Sequence, residues 1–463
     1  MNAPGIPRRL IVLALAASCL ATLTTVGGCT AGTNGRPAPS ERPEAVSADL
    51  LPQHLGGSID QRLNRVRGYA GFDQSLVYPL GRARWRSPRD VQPLVQAAID
   101  RLPEAGGTVQ LPDGVLTISS PIRIERSGVH LRGAGAGETI IRFEPGAMQG
   151  RILDCVELRG PSIDEPIRYV MVSDLSIDAT YWEQPGSYNP RGLDADHAAD
   201  VLVENVDITN AFVGLTFGLG VSNATANNVT VTNWHNNAFN ASGDKRTGGA
   251  RDILFYYCTA RNSLNERRGG SPGNRKNAWE IEDGAADVAL VRCVVENASG
   301  NGFAVRNHSF DEAATTGPVT FLNCVARNVD GEGFFVIGNR YPNNVADVTL
   351  VGCETDSVAT FTKGVRGLTI RDSAFGASVS IGPARTTLVE RSSMRTLTLW
   401  SFPVEVQPGG EIDSEEAREA SYETRIVLRD VAIANQLSLF GEVNNVELVR
   451  TPLPRSTNVQ PSE

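Results

Sequence analysis

Val201-Leu-Val-Glu-Asn-Val206, Ile253-Leu-Phe-Tyr-Tyr-Cys258, Val288-Ala-Leu-Val-Arg-Cys293, Val319-Thr-Phe-Leu-Asn-Cys324 and Val348-Thr-Leu-Val-Gly-Cys353 are copies of one short strand. A weaker copy, Ala224-Thr-Ala-Asn-Asn-Val229, lies between the first two. The last residue of each fills one repeat position: Val206, Val229, Cys258, Cys293, Cys324, Cys353. Four residues on comes asparagine, at Asn210, Asn233, Asn262, Asn297 and Asn328, with Ser357 breaking the run. A second strand then opens on a small residue: Gly214, Ala238, Ala278, Gly302, Gly333. The same residue at the same strand position in successive repeats is the signature of stacked coils. The chain therefore reads as all-β, a single-stranded parallel β-helix (a solenoid) rising about 4.8 Å per coil. On this reading the asparagines face inward and bond their neighbours above and below. The cysteines are small buried hydrophobes on one interior line, not disulfide partners.

The composition agrees. Of 463 residues, 46 are Gly and only 6% are aromatic, a balance that favours short strands and turns over packed helices. With 43 basic and 52 acidic side chains the net charge is −9, which excludes a chain built for nucleic acid. At 41% hydrophobic and 21% charged it is not intrinsically disordered.

Residues 1–29 read as an export signal: Arg8 and Arg9, then an apolar stretch from Leu10 to Leu23 too short for an ordinary membrane span. Val26-Gly27-Gly28-Cys29 resembles a bacterial lipobox. That resemblance implies lipid attachment at Cys29, the alternative being a plain secretory signal with a chance cysteine. The expected location is the bacterial cell envelope, with the lipid as the sole membrane attachment and the protein a monomer. Residues 30–86 would be a tether and an N-terminal extension without assigned elements, 87–453 the solenoid, and 454–463 a tail.

An open solenoid needs a cap. Ser87-Pro88-Arg89-Asp90 reads as a capping box with proline at the first helical position. Val91, Leu94, Val95, Ala98, Ile99 and Leu102 follow at helical spacing, predicting an amphipathic capping helix over 87–105. This helix, then Gly106-Gly-Thr-Val-Gln-Leu-Pro-Asp-Gly114, Ser119-Ser-Pro-Ile122 and Gly128-Val-His-Leu-Arg-Gly133, resembles the pectate lyase superfamily. The resemblance implies a right-handed parallel β-helix. It leaves the reaction open, because that superfamily includes pectin and alginate lyases, polygalacturonases, uronate epimerases, tailspikes and adhesins.

In a strand, alternate residues face in and out. Leu193, Ala195, Leu215, Phe217, Phe239, Ala241, Trp279, Ile281, Phe303, Val305, Phe334 and Val336 mark the inward set of the second strands. The outward pairs, coil by coil, are then Asp194 and Asp196, Thr216 and Gly218, Asn240 and Ser242, Glu280 and Glu282, Ala304 and Arg306, Phe335 and Ile337. They form a polar strip with small residues in its middle, able to seat an extended polymer. Glu280 and Glu282 should lie about 6.6 Å apart along the strand, with Arg306 about 4.8 Å from Glu282. Asp283 and His308 close the strand ends. Such a set offers a carboxylate as acid or base and an arginine for a uronate carboxylate. A solvated strand with a surface ion pair is the plain alternative.

Insertions point to the same face. Thr180 to Pro190 carries Tyr181, Trp182 and Tyr188, which either stack on sugars or pack the loop. From Asp244 to Lys276, Lys245, Arg246, Arg251, Arg261, Arg267, Arg268, Arg275 and Lys276 outweigh Asp244, Asp252 and Glu266, a basic patch suited to an anionic substrate. Asp194, Asp196, Glu280 and Glu282 are hard oxygen ligands that could hold calcium. Asp194-Ala-Asp196-His197 is similar to the acid–histidine cluster of mannuronan epimerases, without their Asp-Pro-His-Asp order. Together these features point to an exported enzyme cleaving an acidic, uronate-containing polysaccharide by β-elimination. Arg306 or a loop lysine would be the base, and the two glutamates would position the substrate. Three alternatives remain: a glycoside hydrolase using Glu280 and Glu282 near the inverting separation, a uronate epimerase, and a non-catalytic glycan-binding or adhesion protein.

Overall fold

A computed structural model describes residues 55, 57–72, 77–79, 90–146, 153–184, 189–244, 248–263, 277–308, 315–338, 345–362, 364–382, 384–400, 425–440 and 446–460. Three parallel ribbons make up the molecule. The coil Ser222–Asn227, Thr230–Thr232, Asn237–Ala241 gives one strand to each, here faces I, II and III. Its face I strand pairs in parallel with Ala198–Thr209 on the N-terminal side and Arg251–Tyr256 on the C-terminal side. Its face III strand pairs likewise with Val213–Phe217 and Trp279–Glu282. Strands thus pair with their counterparts one coil away, and the crossovers take the right-handed sense that parallel connections favour. The architecture is a right-handed parallel β-helix.

Left-handed residues make the corners. Between faces I and II stand Asp174, Asn205, Asn228 and Asn323, with φ of 56°, 52°, 54° and 52°. Asn and Asp tolerate that conformation better than other side chains with a Cβ. Strands Ile167–Asp178 and Ala198–Thr209 therefore bend at Asp174 and Asn205 without breaking. The asparagine ladder read from the sequence lies at the next corner, and its orientation is corrected. Asn210, Asn233, Asn262, Asn297 and Asn328 have φ between 50° and 59° and are half-buried or exposed. A tight left-handed corner turns the side chain outward. The ladder bonds exist on the outside, with Asn297 Nδ2 donating to Asn262 at 2.9 Å and Asn328 Nδ2 to Asn297 at 2.7 Å. Cys258, Cys293, Cys324 and Cys353 are buried and free, as read. Their thiols donate to carbonyls of the preceding coil at 3.4, 3.4, 3.3 and 3.5 Å.

Beneath face III the inward aromatics stack coil on coil. Phe239 and Trp279 lie 4.3 Å apart at 11°, Trp279 and Phe303 5.0 Å, and Phe303 and Phe334 5.1 Å. Each pair adds about 0.5–1.5 kcal/mol beyond area burial. The stack fixes the strands that carry Asn240, Glu280 and Arg306.

The capping helix, α2 (Gln92–Asp100), is shorter than the predicted 87–105, and Ser87 lies outside the described residues. Asp90 Oδ1 does the closing, accepting the N–H groups of Gln92 at 3.0 Å and Ser119 at 3.2 Å. Val91, Val95, Ala98, Ile99 and Leu102 are buried, whereas Leu94, at the rim of the apolar stripe, is 37% exposed. The N-terminal extension also has structure that the sequence reading left unassigned. Helix α1 (Ile59–Arg67) opens with a Ser58–Gln61 capping box and lies along face I. Arg62 is buried, paired with the Asp252 carboxylate and donating to its carbonyl at 2.7 Å. Arg65 reaches Asp200 at 2.9 Å, and Arg67 Nε donates to Glu204 at 3.0 Å. Tyr69 stacks on Tyr169 at 4.4 Å, and Val77–Pro79 pairs with the first face I strand, Gly107–Gln110. This strap crosses several coils down to the base of face I. At the other end the expected tail is no tail: Ser456–Gln460 pairs with Ala432–Phe440 as the last face III strand. Among the described residues no helix is long and apolar enough to cross a membrane.

Candidate active site

Face III has the register expected from the sequence. Asp194 pairs with Thr216, Thr216 with Asn240, Asn240 with Glu280, Glu280 with Ala304, and Ala304 with Phe335. Glu282 pairs with Arg306. Asp194 and Glu280 are therefore three coil steps apart, about 14 Å. The four candidate carboxylates divide into two clusters, so they cannot ligate one calcium ion.

The upper cluster is closely knit. Glu280 is buried, with Arg306 Nη1 on its Oε1 at 2.8 Å and Asn237 Nδ2 on its Oε2 at 2.9 Å. Burial, and then the neighbouring charge of Glu282, push its pKa up against the pull of Arg306. Asn240 Nδ2 donates to Glu282 Oε1 at 3.0 Å. His308 Nδ1 faces Glu282 Oε2 at 3.2 Å and Asp283 Oδ1 at 3.3 Å, while Arg306 Nη2 lies 2.8 Å from His308 Nε2. A guanidinium only donates, so in the neutral imidazole Nε2 accepts at this contact and the ring proton sits on Nδ1. Hydrogen bonds to Asp283 and Glu282 raise the His308 pKa from 6.5 to about 9, opposed by burial and Arg306.

Two chemical expectations are corrected here. Arg306 is held between Glu280 and His308, and a guanidinium, which carries donors only and no lone pair to take a proton, does not serve as the base. Glu280, Glu282 and His308 each bring a ligand atom within 4.8 Å of the others. The two carboxylates thus bring oxygens within 4.8 Å of each other and of the imidazole. This approach invites a cation, but the set does not fit calcium. All four glutamate oxygens already accept hydrogen bonds, and the Arg306 guanidinium sits where the cation's charge would. Calcium takes about six to eight oxygens, whereas this cluster offers two carboxylates and an imidazole.

The lower cluster is an acid–arginine lattice. Asp194, 1% exposed, receives Arg191 Nη1 at 2.6 Å. Arg159 bridges Glu157 at 3.1 Å and Asp196 at 3.0 Å, and Arg123 Nε donates to Glu157 at 3.0 Å. Burial raises the pKa of Asp194; burial and the Asp194 charge raise that of Asp154 to about 7. Asp194 and Asp196 are thus tied into a structural network, separate from the Glu280 site.

Tyr181 is buried, stacked on His235 at 4.8 Å and against Trp182 at 4.8 Å. It packs its loop onto the coils, and the sugar-stacking role expected of it is withdrawn; Trp182 is half-buried in the same group. Lys245, Arg246, Arg267, Arg268, Arg275, Lys276, Tyr188 and Cys29 lie outside the described residues. The sequence reading missed Asn237, Asn277 and Asn301. Each stands immediately before the small residue opening a face III strand, and that repeated position was the available signal. Asn301 Nδ2 donates to Asn277 at 2.9 Å, and both Asn277 and Asn237 hydrogen-bond Glu280.

No protein-family model matches the chain, and no curated protein sequence does. Among solved structures, pre-mature gene product 12 of bacteriophage phi29 is similar at 13% identity, over 87% of this chain and 56% of that one, with a TM-score of 0.51. The A-module of mannuronan C-5 epimerase AlgE6 from Azotobacter vinelandii covers 86% of this chain and 99% of its own at 15% identity, with a TM-score of 0.46. An alginate lyase from Paenibacillus sp. covers 63% and 93% at 14% identity and 0.40. At these identities the likeness concerns the fold alone, so the reaction must be argued from this chain's own side chains.

Proposed function

We propose that the protein is an exported, lipid-anchored enzyme that cleaves an acidic polysaccharide by β-elimination, with Arg306 and His308 at the reacting sugar. One observation carries this reading: the imidazole has Nδ1 fixed on two carboxylates and Nε2 turned toward the arginine. An arriving uronate carboxylate takes the guanidinium, forming the paired hydrogen bonds that arginine favours, and Nε2 is released. Nε2 then removes the proton beside the carboxylate, and Arg306 holds the charge that develops there. The electron pair forms the carbon–carbon double bond as the glycosidic carbon–oxygen bond breaks. The imidazolium returns its proton to the departing oxygen. Buried Glu280, bonded to Arg306 Nη1 at 2.8 Å and to Asn237 Nδ2 at 2.9 Å, holds that guanidinium in place. The mannuronan epimerase and alginate lyase named above are proteins of this fold named for uronate chains, the substrate class this site suits.

The purified protein is tested on a panel of uronate-rich and neutral polysaccharides. Ultraviolet absorbance of an unsaturated uronate, rising with new reducing ends, is the expected result. Reducing ends without absorbance would assign hydrolysis. Solvent deuterium incorporation without cleavage would assign epimerisation, and silence on all three would leave a binding protein. For the anchor, Cys29→Ser is expected to move the protein out of the membrane fraction.

A further inference from the structure

C-terminal to Arg306, face III changes character. Thr360, Ser380, Thr398 and Ser438 continue the column of Glu280 and Phe335. Beside them the column of Arg306 runs through Ile337, Thr362 and Gly382 to Trp400 and Phe440. From Phe335 to Phe440 neither column holds a charged residue. Trp400 and Phe440, both half-exposed, stack with centroids 4.5 Å apart and planes at 14°. Trp400 Nε1 donates to Ser380 Oγ at 3.0 Å, which satisfies the indole N–H and pins the ring across the face. The position on its N-terminal side is Gly382, which puts no side chain against the indole. The result is a fixed aromatic platform with hydroxyls on one flank, four coil steps or about 19 Å from Arg306.

We infer that this platform is a distal subsite binding a neutral pyranose ring. An aromatic face suits the apolar C–H surface of a sugar, and the half-exposed hydroxyls of Thr360 and Thr398 match its OH groups. The missing charge separates it from the anion-binding site at Arg306. The two lie in register on one continuous face, so one extended glycan can occupy both. That shared occupancy rests on the proposed lyase reading; the pyranose subsite does not. The implied substrate is a mixed polymer, with a uronate at the cut and a neutral sugar several units away.

The test titrates the full-length protein with neutral and uronate oligosaccharides of increasing length, following binding by calorimetry and turnover by absorbance. Trp400→Ala and Trp400→Phe are compared, the second as a check that the coil still folds. Trp400→Ala is expected to weaken neutral oligosaccharide binding about tenfold. It should raise KM for long mixed chains to a similar degree, leave kcat on short uronate oligomers unchanged, and be largely rescued in Trp400→Phe. Neutral-sugar affinity equal in wild type and Trp400→Ala, with polyuronate still cleaved, overturns the subsite and leaves the lyase reading standing. Trp400-dependent neutral binding without turnover of any polyuronate keeps the subsite and removes the lyase reading. Trp400-dependent binding of uronate oligomers alone overturns the assignment to a neutral sugar.

Discussion

Asp283→Asn puts the proposed base to its sharpest test. Asp283 Oδ1 lies 3.3 Å from His308 Nδ1, accepts the His308 backbone N–H at 2.8 Å, and is the largest contributor to raising the imidazole pKa from 6.5 to about 9. Elimination needs Nε2 unprotonated. A raised pKa therefore places activity on the alkaline side, and log kcat/KM should climb with unit slope and level off above about 9. Asparagine keeps the acceptor oxygen and the shape, and it tolerates the left-handed φ of 49° at this position. Only the charge is lost. Glu282 still faces Nδ1 at 3.2 Å, so the limb should move down by about one pH unit rather than return to the free imidazole value. The alkaline plateau should fall as well, because a weaker base transfers the proton less readily. Initial rates on a polyuronate across the neutral-to-alkaline range, with thermal melts to check folding, decide the matter. An alkaline limb that stays in place in a folded variant would refute His308 as the titrating base.

Arg306→Gln leaves Glu280 without its cation; turnover should fall at least about a hundredfold, with binding of polyuronate weakened, by steady-state kinetics. Tyr181→Ala should cost about 3 kcal/mol in denaturant titration, as a buried aromatic does, and leave oligosaccharide affinity unchanged. Burial lowers the His130 pKa to about 4, so the unfolded chain takes up this proton first as pH falls. Stability should decline between about pH 6.5 and 4, by up to about 3 kcal/mol, and His130→Gln should flatten that slope in pH-dependent melts. Cys155, Cys258, Cys293, Cys324 and Cys353 are buried and free, so thiol reagents should label them only in denaturant.

The coil stack was readable because its strands repeat and because alternation assigns the faces. Two ladders, of Cys and of Asn, were enough to set the register that brings Glu282 beside Arg306. The inward assignment of the asparagines failed for a definite reason: periodicity reports position along the chain, whereas the left-handed φ of Asn210 and its successors decides direction. The site's chemistry was less accessible. Spacing placed Arg306 near the glutamates but could not show that one guanidinium would bond both Glu280 and His308, which removes it as a base. Nor could it show that Tyr181 folds inward against His235, since an aromatic on an insertion looks the same in sequence whether it packs or protrudes. Residues 59–72 carry no repeat at all. Their partners lie up to 190 positions away, as for Arg62 and Asp252, beyond the reach of any local pattern.

That distance has a consequence for the order in which the molecule comes together. Helix α1 is nine residues long, too short to hold its shape alone in water. Its anchors Asp200, Glu204 and Asp252 belong to coils far downstream. A chain emerging from its N-terminus, at the ribosome or through a translocation channel, presents α1 before any of the coils it docks on and must leave it undocked until the coil of Asp252 has been laid down. A helix made before the coils is thus among the last elements to settle. Closure of Arg62 onto Asp252 then marks the moment when the lower coils are complete.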